Sequence, residues 1–419
     1  MDRRFIAAWF AGALLIAARA NAIDWNNPRD VIDAAITASP SLREMDARIA
    51  AARARAAGAG TLPNPMLMAG VQNRQIDLSS DPMTMYMVGA SQTFLRKDRR
   101  ESLQRAAALD VQQLEREREI RVAEITRDVL VAYDEAAAAV NQIAANEEIA
   151  SLAASTGEAA KIRYETGFAP QIDIIRAKLE ETNIRHAILM QRGVRDQALA
   201  RLRALLALPA GAAIPSFALG HAMEHHDRAV AERLDVPKLP TAVLEAAAAR
   251  AEEEIRLVRL VSKPDVNLEA SYGFRPQQKD MISVVARIEL PVRKATIAPR
   301  IAEATAERDA ALARIDILRQ KLQSELGKAI AQRDEAIEQI NLHVEQLVPQ
   351  AKLGFESAVV AYQSGKSSFD AVIGALQTYR TLSVDYYDFL RQLLVAEALI
   401  DALQHGAEST VVPEMGGAR

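Results

Sequence analysis

The 419-residue chain is 50% hydrophobic but only 5% aromatic, and 25% of its residues are charged, with a formal net charge of -4. This mixture of aliphatic and charged residues is typical of long packed helices, and the negative charge argues against a nucleic-acid partner. The chain has no cysteine, which excludes disulfides, thiolate metal sites, cysteine nucleophiles and lipidation through cysteine.

Residues 1–22 read as a secretory signal peptide. Arg3 and Arg4 precede an apolar run over residues 5–18, and Ala20-Asn-Ala22 has the A-x-A form of a cleavage site. The alternative is a retained membrane anchor, but the run is shorter than the roughly 20 apolar residues that a spanning helix needs. We therefore expect an exported protein whose mature chain begins near Ile23.

The first structural repeat is predicted over residues 23–206. It begins with a helix over residues 30–57 that is broken near Ser39-Pro40. A β-hairpin follows over residues 64–94, introduced by Leu62-Pro-Asn-Pro65 and divided by a turn at residues 77–82.

A long helical hairpin completes the repeat over residues 96–206. Residues 96–156 contain neither Gly nor Pro, and apolar residues recur there at steps of three and four. The helix over residues 96–167 would be about 100 Å long at 1.5 Å per residue. Gly167 provides a helix stop and Pro170 a helix start. We therefore expect the chain to turn here and return as a second helix.

A second repeat with the same order of elements is predicted over residues 241–405. It comprises a helix, a β-hairpin over residues 264–292 and a helical hairpin over residues 293–405, with Pro349 breaking or kinking its first helix. Residues 207–240 form a polar connection, and residues 406–419 are predicted to be a flexible tail.

The turns of the two helical hairpins match position by position. The turn that begins at Tyr362 lies 198 residues after the turn that begins at Tyr164, and five positions are shared. The matching pairs are Tyr164/Tyr362, Gly167/Gly365, Ile174/Val372, Ile175/Ile373 and Ala177/Ala375. A duplicated turn in a duplicated setting is the main sequence clue to function.

Apolar residues alternate with polar or small residues along the predicted strands of the second hairpin. Spanning strands of a membrane barrel alternate in this way, and so do strands of a soluble, half-buried sheet. The attached rods favour the membrane interpretation, in which several protomers pool their strands because open sheet edges are not tolerated in lipid. The residues expected to face lipid are Leu268, Ala270, Tyr272, Phe274, Val284, Ala286 and Ile288, and those expected to face a watery lumen are Asn267, Glu269, Ser271, Ser283, Arg287 and Glu289.

At this point the sequence resembles the TolC-like outer-membrane efflux channels. The motifs are Leu62-Pro-Asn-Pro65, Gln92 with Arg96-Lys97, and the repeated Tyr-x-x-Gly turn, and together they span nearly the whole mature chain. The short, cysteine-free sequence is similar to the heavy-metal (cobalt, zinc, cadmium) branch of this family.

The resemblance implies a mainly α fold with β: a long α-helical barrel continuous with a transmembrane β-barrel, built by a homotrimer with four strands per protomer. It also implies a location in the outer membrane, in contact with its lipid and extending into the periplasm. The partners would be a periplasmic adaptor and an inner-membrane pump, and the cargo would be a divalent metal ion or another small molecule.

The two turns would then be the periplasmic tips that dock the adaptor. Tyr164, Gly167, Ala177, Tyr362, Gly365 and Ala375 are the candidate docking residues. Family members often carry aspartates that ring the pore in the second turn, but this sequence has Ala371 and Gly374 at those positions. Asp173 and Asp370 are the alternative gate acids, unless they simply cap helix starts.

Three of the six histidines, His221, His225 and His226, lie within six residues of each other and are candidate zinc or copper ligands. The other interpretation is a solvated loop. The sequence contains no motif typical of an enzyme and predicts no cofactor. The rival function is a soluble periplasmic coiled-coil adaptor or scaffold, which would not need duplicated strand pairs.

Overall fold

The computed structural model describes residues 23–74, 83–215, 217, 238–260, 263–276, 278–288 and 297–405. The predicted signal peptide, the predicted tail and the histidine cluster lie outside these residues. Within the described ranges, helices and strands follow one another in the same order twice, which confirms the predicted internal repeat.

The described part of the first repeat contains four helices and two strands. Helices α1 (Pro28–Ala38) and α2 (Pro40–Gly58) precede strands β1 (Met66–Gln72) and β2 (Met85–Phe94). Helix α3 (Lys97–Glu165) is 69 residues long, and α4 (Gln171–Leu205) is its return helix. The predicted break at Ser39 is present, because α1 ends one residue before it and α2 begins one residue after it.

The second repeat begins with α5 (Lys238–Leu260), β3 (Val266–Phe274) and β4 (Met281–Ile288). Helix α6 (Ile297–Leu342) passes through a π-helical segment, His343–Leu347, into α7 (Val348–Gln363), and α8 (Phe369–Gln404) is the return helix. Pro349 lies in the first turn of α7. The irregularity predicted at Pro349 is therefore a π-helical segment just before it, where a wider turn accommodates a proline that cannot donate a backbone hydrogen bond.

The described residues divide into two compact units, and each repeat contributes to both. The first unit comprises residues 23–42, 119–217 and 321–405, which are almost entirely helical. The second unit comprises residues 43–118 and 239–320, which include all four strands described above.

The four strands of the second unit form one antiparallel sheet in the order β1-β2-β3-β4. The register aligns Val88 with Tyr272 and Ala270 with Val284. The middle pair, β2 and β3, joins the hairpin of the first repeat to the hairpin of the second. Neither hairpin is therefore an independent sheet.

The motifs on which the family resemblance depends meet beside this sheet. The Gln92 side-chain amide donates to the Pro63 carbonyl at 2.8 Å, so the end of β2 contacts the segment before β1. The Arg96 backbone amide donates to Asp265 Oδ1 at 3.0 Å, and the Arg99 side chain forms an ion pair with the same carboxylate. These contacts attach the start of α3 to the start of β3.

The first unit has an ordinary apolar core between its helices. Tyr133 on α3 is fully buried, stacks on Phe217 with ring centroids 4.3 Å apart and donates from its hydroxyl to the Trp25 carbonyl at 2.8 Å. Burial raises the pKa of Tyr133 to about 12, so its hydroxyl remains a donor at neutral pH. A second cluster of buried side chains lies toward the two turns and includes Ile184, Phe369 and Leu376.

Candidate functional site

The two turns predicted from the repeat have the same backbone geometry. Gly167 has φ +79° and Gly365 has φ +76°, a left-handed conformation that glycine adopts without a Cβ penalty. The amide of Phe168 donates to the carbonyl of Arg163 at 2.8 Å, and the amide of Lys366 donates to the carbonyl of Ala361 at the same distance. This pattern ends a helix in a glycine stop. The shared glycine thus produces a shared turn.

Arg163 joins the two turns to each other. Its Nη1 donates to the carbonyls of Tyr362 at 2.7 Å and Gln363 at 2.8 Å, and its Nη2 donates to the carbonyl of Phe168 at 3.3 Å. The guanidinium carbon lies 4.8 Å from the centroid of the Tyr362 ring. The last carbonyls of a helix lack partners within the helix and carry partial negative charge. A cation that bonds to the end of α7 is therefore well placed.

Tyr362 and Asp173 form a buried pair beneath these turns. The Tyr362 hydroxyl donates to Asp173 Oδ2 at 3.1 Å, and the two residues are 4% and 6% exposed. Burial, followed by the hydrogen bond to Asp173, raises the pKa of Tyr362 to about 12. The hydroxyl thus stays protonated and holds the start of α4 against the end of α7. Tyr164, the matching residue of the first repeat, is exposed instead.

Asp370 differs from Asp173 because its side chain is 63% exposed. It forms an ion pair with Arg176 on α4. Neither aspartate is the N-cap residue of its helix: Pro170 precedes α4, and Ser368 caps α8 by accepting a hydrogen bond from the Ala371 amide at 3.3 Å. Both acids lie in the first helical turn, where the helix dipole favours negative charge.

The predicted docking alanines lie in the packing between the helices. Ala177 is buried, and Ala375 is half-buried against the same apolar cluster. A Cβ added to Gly157 would lie 3.2 Å from the Ala177 side chain. The small residue at position 177 therefore permits close approach of α3 and α4. Neither alanine offers a side chain at the surface comparable to that of Tyr164.

Sequence reasoning missed the charged residues that connect the turns. Arg163 and Arg176 of the first repeat align with Ala361 and Gly374 of the second. Glu180, which is buried and accepts a hydrogen bond from the Gln377 amide at 2.7 Å, aligns with Thr378. The predicted docking residues are positions that the repeats share, whereas these contacts use positions at which the repeats differ. A comparison of charged residues between the repeats would have identified Arg163, Arg176 and Glu180 from the sequence.

The predicted lumen-facing residues share one face of the sheet, as far as the structure describes them. Asn267 Nδ2 donates to Thr93 Oγ1 at 2.9 Å, Arg287 forms an ion pair with buried Glu269 at 2.6 Å, and Ser271 lies opposite Ser283. Glu289 lies outside the described residues.

The predicted lipid-facing residues share the other face, and this face is exposed. The exposed side chains include Leu268, Tyr272, Phe274, Ile282, Val284 and Ile288, together with Leu67 and Val88 of the first hairpin. In contrast, Ser91, Glu269 and Ser271 on the polar face are buried. A soluble half-buried sheet has the opposite arrangement, with its apolar face covered.

In the part of the chain that the structure describes, no helix combines the length and the apolar composition required to cross a membrane. Likewise, no group of three or more His, Asp or Glu side chains among the described residues is arranged to hold a metal ion. The proposed ligands His221, His225 and His226 belong to a range that the structure does not describe.

Sequence comparisons with known proteins identify one matching family. The sequence model of the outer membrane efflux protein family matches residues 31–208. No curated protein sequence matches the chain.

Several solved structures share the fold. The outer-membrane channel OprN has 14% identity and a TM-score of 0.76, with 91% of each chain covered. The outer membrane protein VceC from Vibrio cholerae has 18% identity and a TM-score of 0.75, covering 91% of this chain and 97% of VceC. CusC, described as forming a transmembrane channel, has 17% identity and a TM-score of 0.74, covering 90% of this chain and 92% of CusC. The family resemblance inferred from the sequence is thus confirmed: residues 31–208 match the outer membrane efflux protein family, and the chain as a whole shares the fold of solved outer-membrane channels.

Proposed function

We propose that this protein is the outer-membrane channel of a tripartite efflux pump. The observation that carries the proposal is the contrast between the two faces of β2 and β3, where the apolar side chains are exposed while Ser91, Glu269 and Ser271 of the polar face are buried. An exposed apolar face of this extent requires a partner of low polarity. The hydrocarbon of the outer membrane satisfies that requirement, and the polar face then lines a watery lumen.

The channel would be a homotrimer. In the described sheet, β1 and β4 are edge strands with unpaired backbone groups on their outer sides. Lipid cannot satisfy such groups, so the edges must pair with other strands. Three copies contribute twelve strands, and a closed barrel of that size has no edge left. The helical hairpins of the three copies would form the tunnel through the periplasm.

The two turns would form the periplasmic end, where the adaptor docks and the inner-membrane pump delivers its cargo. Tyr164 and Phe168 present exposed aromatic side chains at the first turn, and such side chains are common anchors in protein interfaces. Gly167 and Gly365 set the turn geometry. The protein would conduct passively and have no catalytic role.

Of the two candidate gate acids, Asp370 would meet the passing cargo. Its carboxylate is exposed, whereas that of Asp173 is buried against Tyr362. Three copies of Asp370 in a trimer would concentrate cations at the pore, and Arg176 would moderate that field. Asp173 would position α4 without touching the cargo. We therefore retain a metal ion as the proposed cargo, in line with the resemblance to the heavy-metal branch.

Reconstitution of the full chain tests the channel. We expect detergent-solubilised protein from the outer-membrane fraction to be trimeric by light scattering and to give stepwise potassium conductance in a planar bilayer. Recovery of folded, monomeric protein from the soluble periplasmic fraction would refute the proposal and revive the adaptor or scaffold alternative.

Two matched variants test the gate. D370N should weaken the block of potassium current by divalent cations severalfold, because it removes an exposed charge. D173N should leave the block unchanged, because its carboxylate is buried. Equal block in wild type and D370N would refute the role of Asp370 while leaving the channel proposal intact. The genes adjacent to this one provide an independent test of the cargo, since the pump selects it.

A further inference from the structure

The strands carry five of the chain's eleven methionines, and all five lie on one face of the sheet. Met66 and Met68 are in β1, Met85 and Met87 in β2, and Met281 begins β4. The register places Met68 opposite Gly89, Met87 opposite Gly70 and Met281 opposite Gly273. These glycines share the polar face with Ser271 and Ser283, so the methionines lie away from the exposed apolar face.

Three of these methionine residues lie around Gly273. Met87 is its cross-strand partner on β2, and Met281 is its partner on β4. Directly opposed side chains in an antiparallel pair have Cβ atoms about 5 Å apart. The Met85 side chain fills the remaining space, because a Cβ at Gly273 would collide with the Met85 Sδ. Gly273 thus leaves an opening that the Met85 thioether occupies, and Met87 and Met281 are the residues on either side of it in the neighbouring strands.

Packing alone does not account for methionine at these places. Met85 and Met87 are half-buried, and Met281 is 43% exposed on the polar face. A watery lumen favours polar side chains on this face, as at Ser271 and Asn267, whereas the apolar side chains that contact lipid lie on the opposite face. What methionine adds to this face is a soft, polarisable sulfur on a flexible stem that can adjust its position.

We propose that Met85, Met87 and Met281 form a binding site for a soft monovalent metal ion, Cu(I) or Ag(I), on the lumenal face of the sheet. Thioether sulfur selects Cu(I) over hard cations, and it needs no deprotonation to bind. The three residues lie beside the turns that close each hairpin. Their role as a cargo contact near the outer end of the channel rests on the proposed function, whereas the binding itself does not.

The neighbouring charges are compatible with a cation that passes through. Glu269 on the same face is neutralised by Arg287, so the site offers sulfur without a full negative charge. A neutral thioether set binds a monovalent ion weakly enough for release. Three copies in a trimer would place nine such sulfurs around one lumen.

Silver ion is a suitable probe because it is a soft monovalent ion that needs no reductant. Purified full-length protein in detergent would be titrated with silver nitrate in chloride-free buffer by calorimetry. We expect the triple variant M85L/M87L/M281L to lose one silver ion per chain or to bind it at least tenfold more weakly. Leu for Met conserves volume and removes only the sulfur. M45L/M190L, with its changes on α2 and α4, is the matched control and should bind silver as wild type does.

Other outcomes separate the site from the channel. M281L alone, on the edge strand, should weaken silver binding severalfold even if the triple variant folds poorly. Zinc titrations should be the same in wild type and all variants, because zinc has no preference for thioethers. Unchanged silver binding in both M281L and the triple variant would overturn the proposed site. If wild type binds silver through these methionines but gives no potassium conductance, the channel proposal fails while the site stands.

Discussion

The exposed apolar face of the sheet makes a sharp prediction for two adjacent residues of β4. Val284 is 74% exposed, lies on the apolar face opposite Ala270 and is the fourth of eight residues in its strand. Ser283 is the preceding residue and lies on the polar face opposite Ser271. Arginine at position 284 would enter lipid near the middle of the strand, whereas arginine at position 283 would enter the lumen.

The expected energies differ widely. An arginine on the lipid face of a barrel costs about 2–4 kcal/mol at the bilayer midplane. Three protomers would multiply this to roughly 6–12 kcal/mol for each trimer. This is comparable to the whole folding free energy of a typical domain, about 5–15 kcal/mol. S283R changes a polar position that faces the proposed lumen and should cost about 1 kcal/mol or less.

The assay is urea unfolding of the trimer in lipid vesicles, with the amount of trimer in the outer-membrane fraction as a second measure. We expect V284R to be largely absent from that fraction and S283R to be present at close to the wild-type level. Equal stability of the two variants, or greater loss in S283R, would refute the assignment of the two faces.

Three further predictions concern the helical unit, each checked by thermal unfolding of the purified protein in detergent. R163M should lower the free energy of unfolding by about 2 kcal/mol, because it removes two charge-assisted hydrogen bonds to the second turn and one within the first. R185M, at an exposed site on α4, should change it by less than about 0.5 kcal/mol, and equal effects of the two variants would contradict the bridging role of Arg163. G365A should lower the free energy of unfolding by about 1–2 kcal/mol because Gly365 has a positive φ. G374A, inside α8 with open space around it, should leave the free energy of unfolding unchanged or raise it. A larger loss in G374A than in G365A would exclude the left-handed turn. Burial, followed by the charges of Glu397 and Glu135, raises the pKa of the Asp134 carboxyl well above its usual value. The folded protein is therefore most stable at low pH, where this carboxyl is protonated, and loses stability as the pH rises and the buried group must ionise. D134N should raise Tm at pH 8 but hardly at pH 4, and a gain that does not grow with pH would contradict this.

Much of the fold followed from local patterns in the sequence. The absence of Gly and Pro over residues 96–156 indicated an uninterrupted helix, and α3 extends even beyond this range, from Lys97 to Glu165. Gly167 ends its helix as predicted, and both turn glycines have positive φ values. The alternation in β3 correctly sorted residues into two faces, because a strand's side-chain period of two depends only on the backbone.

The long-range partnerships could not be predicted in this way. Pairing of β2 with β3 joins segments that are almost 180 residues apart in the chain, and no local pattern encodes it. That the methionines of β1, β2 and β4 share one face likewise depends on the register between the strands, which no local pattern encodes. The contacts of Arg163 and Arg176 likewise depend on which helices become neighbours.

The sequence match between the two turns explains their shared backbone geometry, but the contacts between them depend on residues that differ. The shared residues, two tyrosines and two glycines, build two equal backbone shapes. The unshared residues make the two shapes complementary: the first repeat supplies Arg163 and Asp173, and the second supplies helix-end carbonyls and the Tyr362 hydroxyl. Two identical turns would have presented like charges or like acceptors to each other and would have had no reason to associate. The differences between the repeats thus give the two turns a specific contact within one chain. Tyr164 has no equivalent buried contact and is exposed, as the proposed docking role requires.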